Sequence, residues 1–519
     1  MKRKLAFVFA LAMGQSALLA QFGYFSDALR FSQTNYSLGS TARMQGFAGA
    51  QVALGGDISS AVANPAGLGF FNQSVFVVTP SMSFNSNSTS YGLLFDDGPV
   101  LDPSTETFQN NFNFANIGTV IHYGQGRYGN DKFKGGSLAI SLSRSSDFNR
   151  TISYEGANDF NSIADSFAQS ASLLPPSTGL QGFLDAADRT QLINEDLGEE
   201  GISLGYFAQF DGFPFQQEVI EQSGSHYELN LAWGGNYDDV FYFGGGLGLQ
   251  IINYSESRRY QESEFLVFDD QGNGTLDERL NAIFLDEEFE VRGSGIDFNV
   301  GMTIRPAPFM TIGASYTSPS FLALEDEISN DFEVVWVPGA TFIDLDGNEI
   351  DLASEDTRFV TEGLRNTYQL RTPSRIAVGT AFFIGKSGFL TGDLEFIDYS
   401  NATLNSLDFS VREDNDEINR LYTSVMNVRA GGEYRFENFR LRAGYAFFPD
   451  PFEGSSIGDQ TNITFGIGYR TADYFIDLAI VNSRFDTEAV PYSIFGQPQP
   501  FAATETNNTV ASITLGLNF

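Results

Sequence analysis

Two arginines are the first residues whose type and setting suggest a task. The chain has 519 residues, and 29 Lys and Arg stand against 65 Asp and Glu, a formal net charge of −36. Arg375 begins the run RIAVGTAFFIG, and Arg429 lies in MNVRAGGEYRF. Both runs alternate apolar and polar residues, the period-two signature of a strand. Arg375 therefore shares a face with Phe383, opposite Ile376, Val378 and Phe382, and Arg429 opposes Met426, Val428 and Ala430. A guanidinium turned toward an enclosed interior can take a carboxylate through paired N–H donors. Arg375 and Arg429, with Phe383 as an apolar neighbour, are thus the candidate ligand-binding residues. Asp393, Glu395 and Glu433 fall on similar faces, so internal ion pairing is the competing use and the more frequent one in a polar interior. Arg440, Arg442 and Arg470 sit near strand ends, where a charge network is expected.

Other reactive chemistry is sparse. His122 and His226 are the only histidines, cysteine is absent, and no serine sits in a hydrolase elbow. No catalytic site, metal or cofactor is expected. The fragments DDQGNGTLDE (269–278) and DLDGNE (344–349) resemble calcium loops, but with Asp344 as position 1 Gly347 falls at position 4, out of the twelve-residue register, so turn chemistry explains them better. The acidity also argues against nucleic acid, whose phosphates need a basic face.

What would hold these arginines in place is a series of strands. Residues 1–20 read as a secretory leader, with Lys2, Arg3 and Lys4 before an apolar run from Leu5 to Leu11 and small residues ending at Ala20. Nothing else approaches the roughly 20 apolar residues of a membrane helix, so a membrane form must cross as a closed sheet. The 51 Phe and 21 Tyr against 2 Trp, with 53 Gly, suit lipid-facing strands with aromatic girdles and a glycine-lined interior.

Alternation places strands near residues 73–85, 112–124, 136–148, 225–236, 240–255, 289–305, 309–317, 368–384, 388–399, 424–436, 439–448, 461–471, 474–484 and 508–519. Connections after even-numbered strands are short, save the somewhat longer second-to-third link around GQGRYGNDKFKG, and those after odd-numbered strands are long. A β-sandwich has no reason to keep that rule, whereas an outer-membrane barrel has short periplasmic turns and long outer loops. The expectation is an all-β, 14-stranded antiparallel transmembrane β-barrel over residues 73–519. The final run VASITLGLNF ends on Phe519, the ending read by the barrel-assembly machinery. Within the long loops, residues 158–200 carry two short amphipathic helical patterns separated by Pro175-Pro176, and 318–367 reads as an extracellular hairpin. The helices' apolar faces could receive an apolar ligand or pack together as a cap.

Between residues 21 and 72 the alternation is missing. The segment SLGSTARMQGFAGAQVALGGDISSAVANPAGLGFF is rich in small residues and turns at Asn64-Pro65, so it cannot face lipid as a strand. It resembles the N-terminal hatch of the FadL/TodX family of outer-membrane transporters for long-chain fatty acids and aromatic hydrocarbons. Gly46, Gly49, Ala50, Ala53, Asp57, Ser60, Ala61 and above all Asn64-Pro65-Ala66-Gly67-Leu68 carry the likeness. Weaker echoes follow at Arg371, Thr372, Pro373, Arg375, Gly379, Asp393, Tyr399 and Ser400. The resemblance implies a hatch (21–72) inside the lumen, with Gly55, Gly56, Asp57, Asn64, Pro65, Ala66 and Gly67 as its gating or turn-forming residues. It further implies passive outer-membrane transport of hydrophobic small molecules with release through the wall. Expected surroundings are outer-membrane lipid and lipopolysaccharide, with the chain a monomer. The alternative is a non-transporting barrel whose acidic loops act in protein secretion or envelope interaction.

Overall fold

The computed structural model describes residues 23–33, 38–95, 97–124, 131–174, 179–197, 203–210, 212–268, 274–277, 279–343, 349–354 and 357–519. The leader, Pro175-Pro176 and most of the two calcium-like fragments lie outside them.

Fourteen strands close on themselves. They are β1 (Val75–Phe95), β2 (Thr105–Gly124), β3 (Phe133–Asp147), β4 (Phe213–Tyr237), β5 (Phe241–Phe268), β6 (Leu280–Ala307), β7 (Met310–Thr317), β8 (Arg375–Ile384), β9 (Gly388–Asp398), β10 (Ser424–Phe436), β11 (Phe439–Phe448), β12 (Gln460–Arg470), β13 (Tyr474–Ala489) and β14 (Gln499–Asn518). Each pairs antiparallel with the next, and β14 returns to β1, from Val75 opposite Asn518 to Leu94 opposite Gln499. Ser74 and Phe519 exchange backbone hydrogen bonds at 3.2 and 3.0 Å, so the seam is closed to the last residue. Closure at this seam removes the free edges that β1 and β14 would otherwise expose to lipid.

The alternation separates the two faces as the sequence leads one to expect. Phe76, Met82 and Phe84 on β1, Leu247, Leu249 and Ile251 on β5, and Ile463, Phe465 and Ile467 on β12 are exposed outward. Near the short-turn end Tyr123, Tyr237, Phe241, Phe309, Phe436, Phe439 and Tyr474 are exposed, a ring of aromatics of the kind that sits at a membrane interface.

Two differences from the sequence expectation concern strand continuity. The expected strand 368–384 is two strands: Arg358–Arg371 pairs with Phe321–Trp336, and β8 pairs with β7 and β9. Thr372-Pro373-Ser374 separates them, because proline has no N–H for the ladder and disfavours regular pairing beside it. Ser318-Pro319-Ser320 breaks the neighbouring strand at the same height, and the two breaks are joined by Thr372 N–H donating to Ser320 O at 3.0 Å. The expected hairpin of 318–367 is thus an upward continuation of β7 and β8. The strands also run far past the apolar band, as β5 does to Phe268, forming an outer sleeve with a mostly polar outward face.

Two helices found in residues 158–200, α2 (Ile163–Leu173) and α3 (Phe183–Arg189), pack on each other and on Phe332, with the Phe167 and Phe183 rings stacked 6.4 Å apart. Their apolar faces are buried in one cluster with Phe265, Ile283, Val334 and Trp336, the capping arrangement.

Candidate functional site: the barrel interior

Inside the barrel lies the N-terminal segment, and the inward residues of many strands hold it. Thr311, Thr391 and Thr464 donate to the carbonyls of Ala53, Ala50 and Gly46 at 2.8, 3.1 and 3.1 Å. Asn299 donates to Ala61 and Val62, Ala42 N–H donates to Thr514 Oγ1, and Val52 N–H to Asp393 Oδ2. These bonds satisfy backbone groups that no sheet or long helix would satisfy. Glycines admit the segment. Gly234, Gly244 and Gly301 face one another across three strands, and a Cβ on the first two would stand 2.4 and 2.5 Å from Pro65 atoms. Gly313 opposite Gly379, and Gly431 opposite Gly444, do the same for Val52 and Phe47.

The Asn64-to-Gly67 turn is tightly bound. Asn64 Oδ1 accepts from Ala66 N–H at 3.1 Å and caps the 3-10 helix Pro65–Phe70. Its Nδ2 donates to Val52 O at 2.6 Å and to Thr303 Oγ1 at 3.2 Å. A Cβ on Gly67 would lie 2.4 Å from Ser60 Oγ, and one on Gly55 would lie 2.3 Å from the Phe70 ring. Gly56, at φ +71°, donates to Gly67 O at 3.1 Å, a backbone geometry that disfavours any other residue. Asp57 accepts from Thr41 Oγ1 and from Ser59 N–H at 3.0 Å. Phe70 stacks on Tyr242 at 3.7 Å, with Arg305 over both rings.

Above the segment, Arg375 and Arg429 come together. Both border a small cavity of about 30 Å³, room for about one water, lined also by Gln51, Val62, Ser315 and Glu395. Arg429 donates to Glu395 at 2.8 Å, and Arg375 Nη2 donates to Ser32 O at 3.1 Å. The internal pairing weighed from the sequence therefore holds for Arg429. Phe383 lies elsewhere, packed below the N-terminal segment with its ring 6.0 Å from Phe389. Toward the short-turn end Arg442 bridges Glu433 at 2.9 Å and Asp477 at 2.6 Å, and Arg43 and Arg470 border the same carboxylates at 3.8 and 3.9 Å.

The outer half of the interior is apolar, and helix α1 (Tyr24–Ser32) fills it. Tyr24, Ala28, Leu29 and Phe31 pack against Ile252, Phe289, Val291, Leu322, Leu324 and Leu370. Asp27 on the same helix accepts from Tyr368 at 2.7 Å, and Arg30 lies over the Tyr254 ring. The pattern YFSDALRFS carries this helix in the sequence, yet its length gives little periodicity to detect. Higher still, Glu262 binds the start of α2, accepting from Ile163 N–H at 2.9 Å, Gln216 at 2.6 Å and Tyr260 at 2.7 Å. Burial pushes the Glu262 carboxyl up to about 7.

The wall is incomplete beside β2. Its pairing with β3 runs only from Asn116 opposite Ser143 to Gly124 opposite Gly135. Above that point, among the described residues, no strand pairs with 105–115 on this side. The chain after β3 has turned inward at Phe148-Asn149, opposite Gly224 of β4, whose φ is +117°. The strand that follows, Arg150–Ala157, pairs with β4 but lies against the inner face of β1 and β2. Asn87 donates to Thr151 O at 2.7 Å, Thr107 donates to the same oxygen at 2.5 Å, and Tyr91 stacks on Tyr154 at 5.0 Å. Phe108, Phe112 and Phe114 face outward along the unpaired edge, and the Tyr227 hydroxyl donates to Phe114 O at 3.5 Å.

No protein-family model and no curated protein sequence matches the chain. Solved structures do. A Pseudomonas aeruginosa FadL homologue aligns at a TM-score of 0.53 with 13% identity, over 92% of this chain and 98% of that one. The Pseudomonas putida toluene transporter TodX aligns at 0.48 with 13% identity, over 93% and 99%. At such identity the likeness concerns architecture, and the conclusion is one of fold: this is a closed 14-stranded antiparallel barrel built like the FadL homologue.

Proposed function

We propose that the protein carries hydrophobic small molecules across a bacterial outer membrane by passive diffusion, with residues 21–72 acting as a hatch and the gap beside β2 as a lateral exit. The gap carries the reading. Backbone groups left unpaired at membrane height cost several kcal/mol each in hydrocarbon, so an edge like 105–115 is tolerated where it lines an opening. An aromatic rim of Phe108, Phe112 and Phe114 gives an emerging apolar molecule a surface continuous with lipid. The polar residues at mid-height and the seated N-terminal segment make the straight path to the periplasm unfavourable for such a molecule. The apolar chamber now holding α1 is the receiving site, and burial there at ~25 cal/mol per Å² would bind an acyl chain or aromatic ring by several kcal/mol.

Long-chain fatty acids are the default ligand class, because Arg375 and Arg429 lie below the chamber and could meet a carboxylate. The leader exports the chain, and Phe519 presents it to the assembly machinery. The test is lipid extraction and mass spectrometry of the purified protein, together with uptake assays in a deletion strain. A bound apolar ligand and reduced uptake are expected; an empty extract and unchanged uptake would reject the reading.

A further inference from the structure

The inner face of β4, β5 and β6 contains a cluster of oxygens that transport of an apolar molecule does not use. Asn230, Gly248 and Asp297 are direct cross-strand neighbours, and Glu228 stands diagonally beside them. All three polar side chains are buried: Glu228 is 2%, Asn230 1% and Asp297 5% exposed. The missing side chain at position 248 leaves a cradle. Glu228 Oε1 and Asp297 Oδ1 each stand 2.7 Å from the point where a Cβ on Gly248 would lie.

Their remaining contacts orient these oxygens. Asp297 Oδ2 accepts from Gln250 and, at 3.1 Å, from Ser320 Oγ, which leaves Oδ1 turned to the cradle. His226 Nε2 lies 2.6 Å from Gln250 Oε1 and so fixes which end of that amide meets Asp297. Gln250 and Asn230 are hydrogen-bonding neighbours of the Glu228 carboxyl, yet Glu228 Oε2 and both side-chain polar atoms of Asn230 lack a well-formed partner. Two carboxylates converging on one point repel, and each unmatched buried oxygen costs desolvation energy. Arg375 offsets part of that charge from a distance, and a cation bound between the carboxylates would complete the compensation.

We propose that Glu228, Asp297 and Asn230 form a binding site for a hard divalent cation of the Ca2+ type. Two carboxylates and an amide oxygen supply the all-oxygen ligation such an ion prefers, with water completing the shell. The ion would cross-link β4 to β6 over Gly248. One inner position lower, Asn299 donates to Ala61 and Val62, so the ion would stiffen the wall beside the N-terminal segment's seat.

The experiment uses the full-length barrel in detergent. Calcium binding is measured by calorimetry on wild type and on Glu228→Gln, Asp297→Asn and Gly248→Ala, with heat-modifiable gel migration reporting folding. Wild type is expected to show one saturable site, at least tenfold weaker or lost in every folded variant, above a background from the acidic outer loops common to all. Crystals of wild type soaked in Tb3+ are expected to show an anomalous peak between Glu228 and Asp297, which decides the matter even if a variant fails to fold. A peak confined to the outer loops, no peak at all, or affinity unchanged in the folded variants would overturn the proposal.

Discussion

Asn64 Oδ1 lies 1.8 Å from the point that a Cβ on Gly301 would occupy. No side chain can be added at 301 without moving Asn64, and Asn64 holds Val52 O, Thr303 Oγ1 and Ala66 N–H. Gly301→Ala is therefore expected to unseat the turn at a cost of about 1–3 kcal/mol through unmatched buried polar groups. The barrel would still assemble, but single-channel recordings in planar bilayers should show larger and more frequent openings than wild type. Silent recordings would mean that the turn is not part of the seal.

Arg429 and Glu395 supply a second expectation. Both side chains are largely buried and bonded at 2.8 Å. Arg429→Ala leaves Glu395 with Asn427 as a remaining donor at 2.9 Å and should destabilise the barrel by about 1–3 kcal/mol, seen as a lower urea midpoint in lipid vesicles. The double variant Arg429→Met/Glu395→Met removes both charges and should recover most of that loss. If Arg429 also receives a ligand carboxylate, the double variant will bind fatty acids more weakly than fatty alcohols of the same length.

Glu262 gives the outer cap a pH dependence. Its folded value of about 7 lies above the ordinary carboxylate value of 4.5, so the folded state holds the proton more tightly than the unfolded one. Stability from this group is fully present below pH 4.5 and is lost as pH rises toward 7, with a slope of at most about 1.4 kcal/mol per pH unit. Hydrogen-exchange protection at α2, with the intrinsic pH dependence of exchange divided out, should therefore fall between pH 5 and pH 8. Glu262→Gln should flatten that response, and an unchanged response would place its origin elsewhere.

Strand number, direction and face were legible because lipid and lumen impose opposite polarity on successive residues, as along Phe241–Ile251 and Ile463–Tyr469. Above the membrane the outer face is mostly polar and apolar residues such as Leu322, Leu324, Phe332 and Val334 turn inward, so the contrast of the membrane band inverts; the upper part of β5 read as loop and the strand Phe321–Trp336 as part of an outer hairpin. The break at Thr372-Pro373-Ser374 was written in the proline, yet the alternation on either side hid it. Arg375 and Arg429 were singled out because cations are scarce on inward faces. Glu228 and Asp297 were not, since an acid in so acidic a chain draws no notice and their convergence depends on register across β5. The inward turn at Phe148 left no local mark, for it arises from the matching irregularity at Gly224 on another strand.

The lateral exit can be tested by tying its two sides together. Phe114→Cys and Tyr227→Cys place thiols on β2 and β4, on the two sides of the gap, in a chain without other cysteines, and a cleavable bis-maleimide can bridge them. Uptake of a radiolabelled apolar solute into proteoliposomes should fall at least tenfold on bridging and return when the bridge is cleaved. Uptake that continues undiminished through the bridged barrel would contradict passage through the wall.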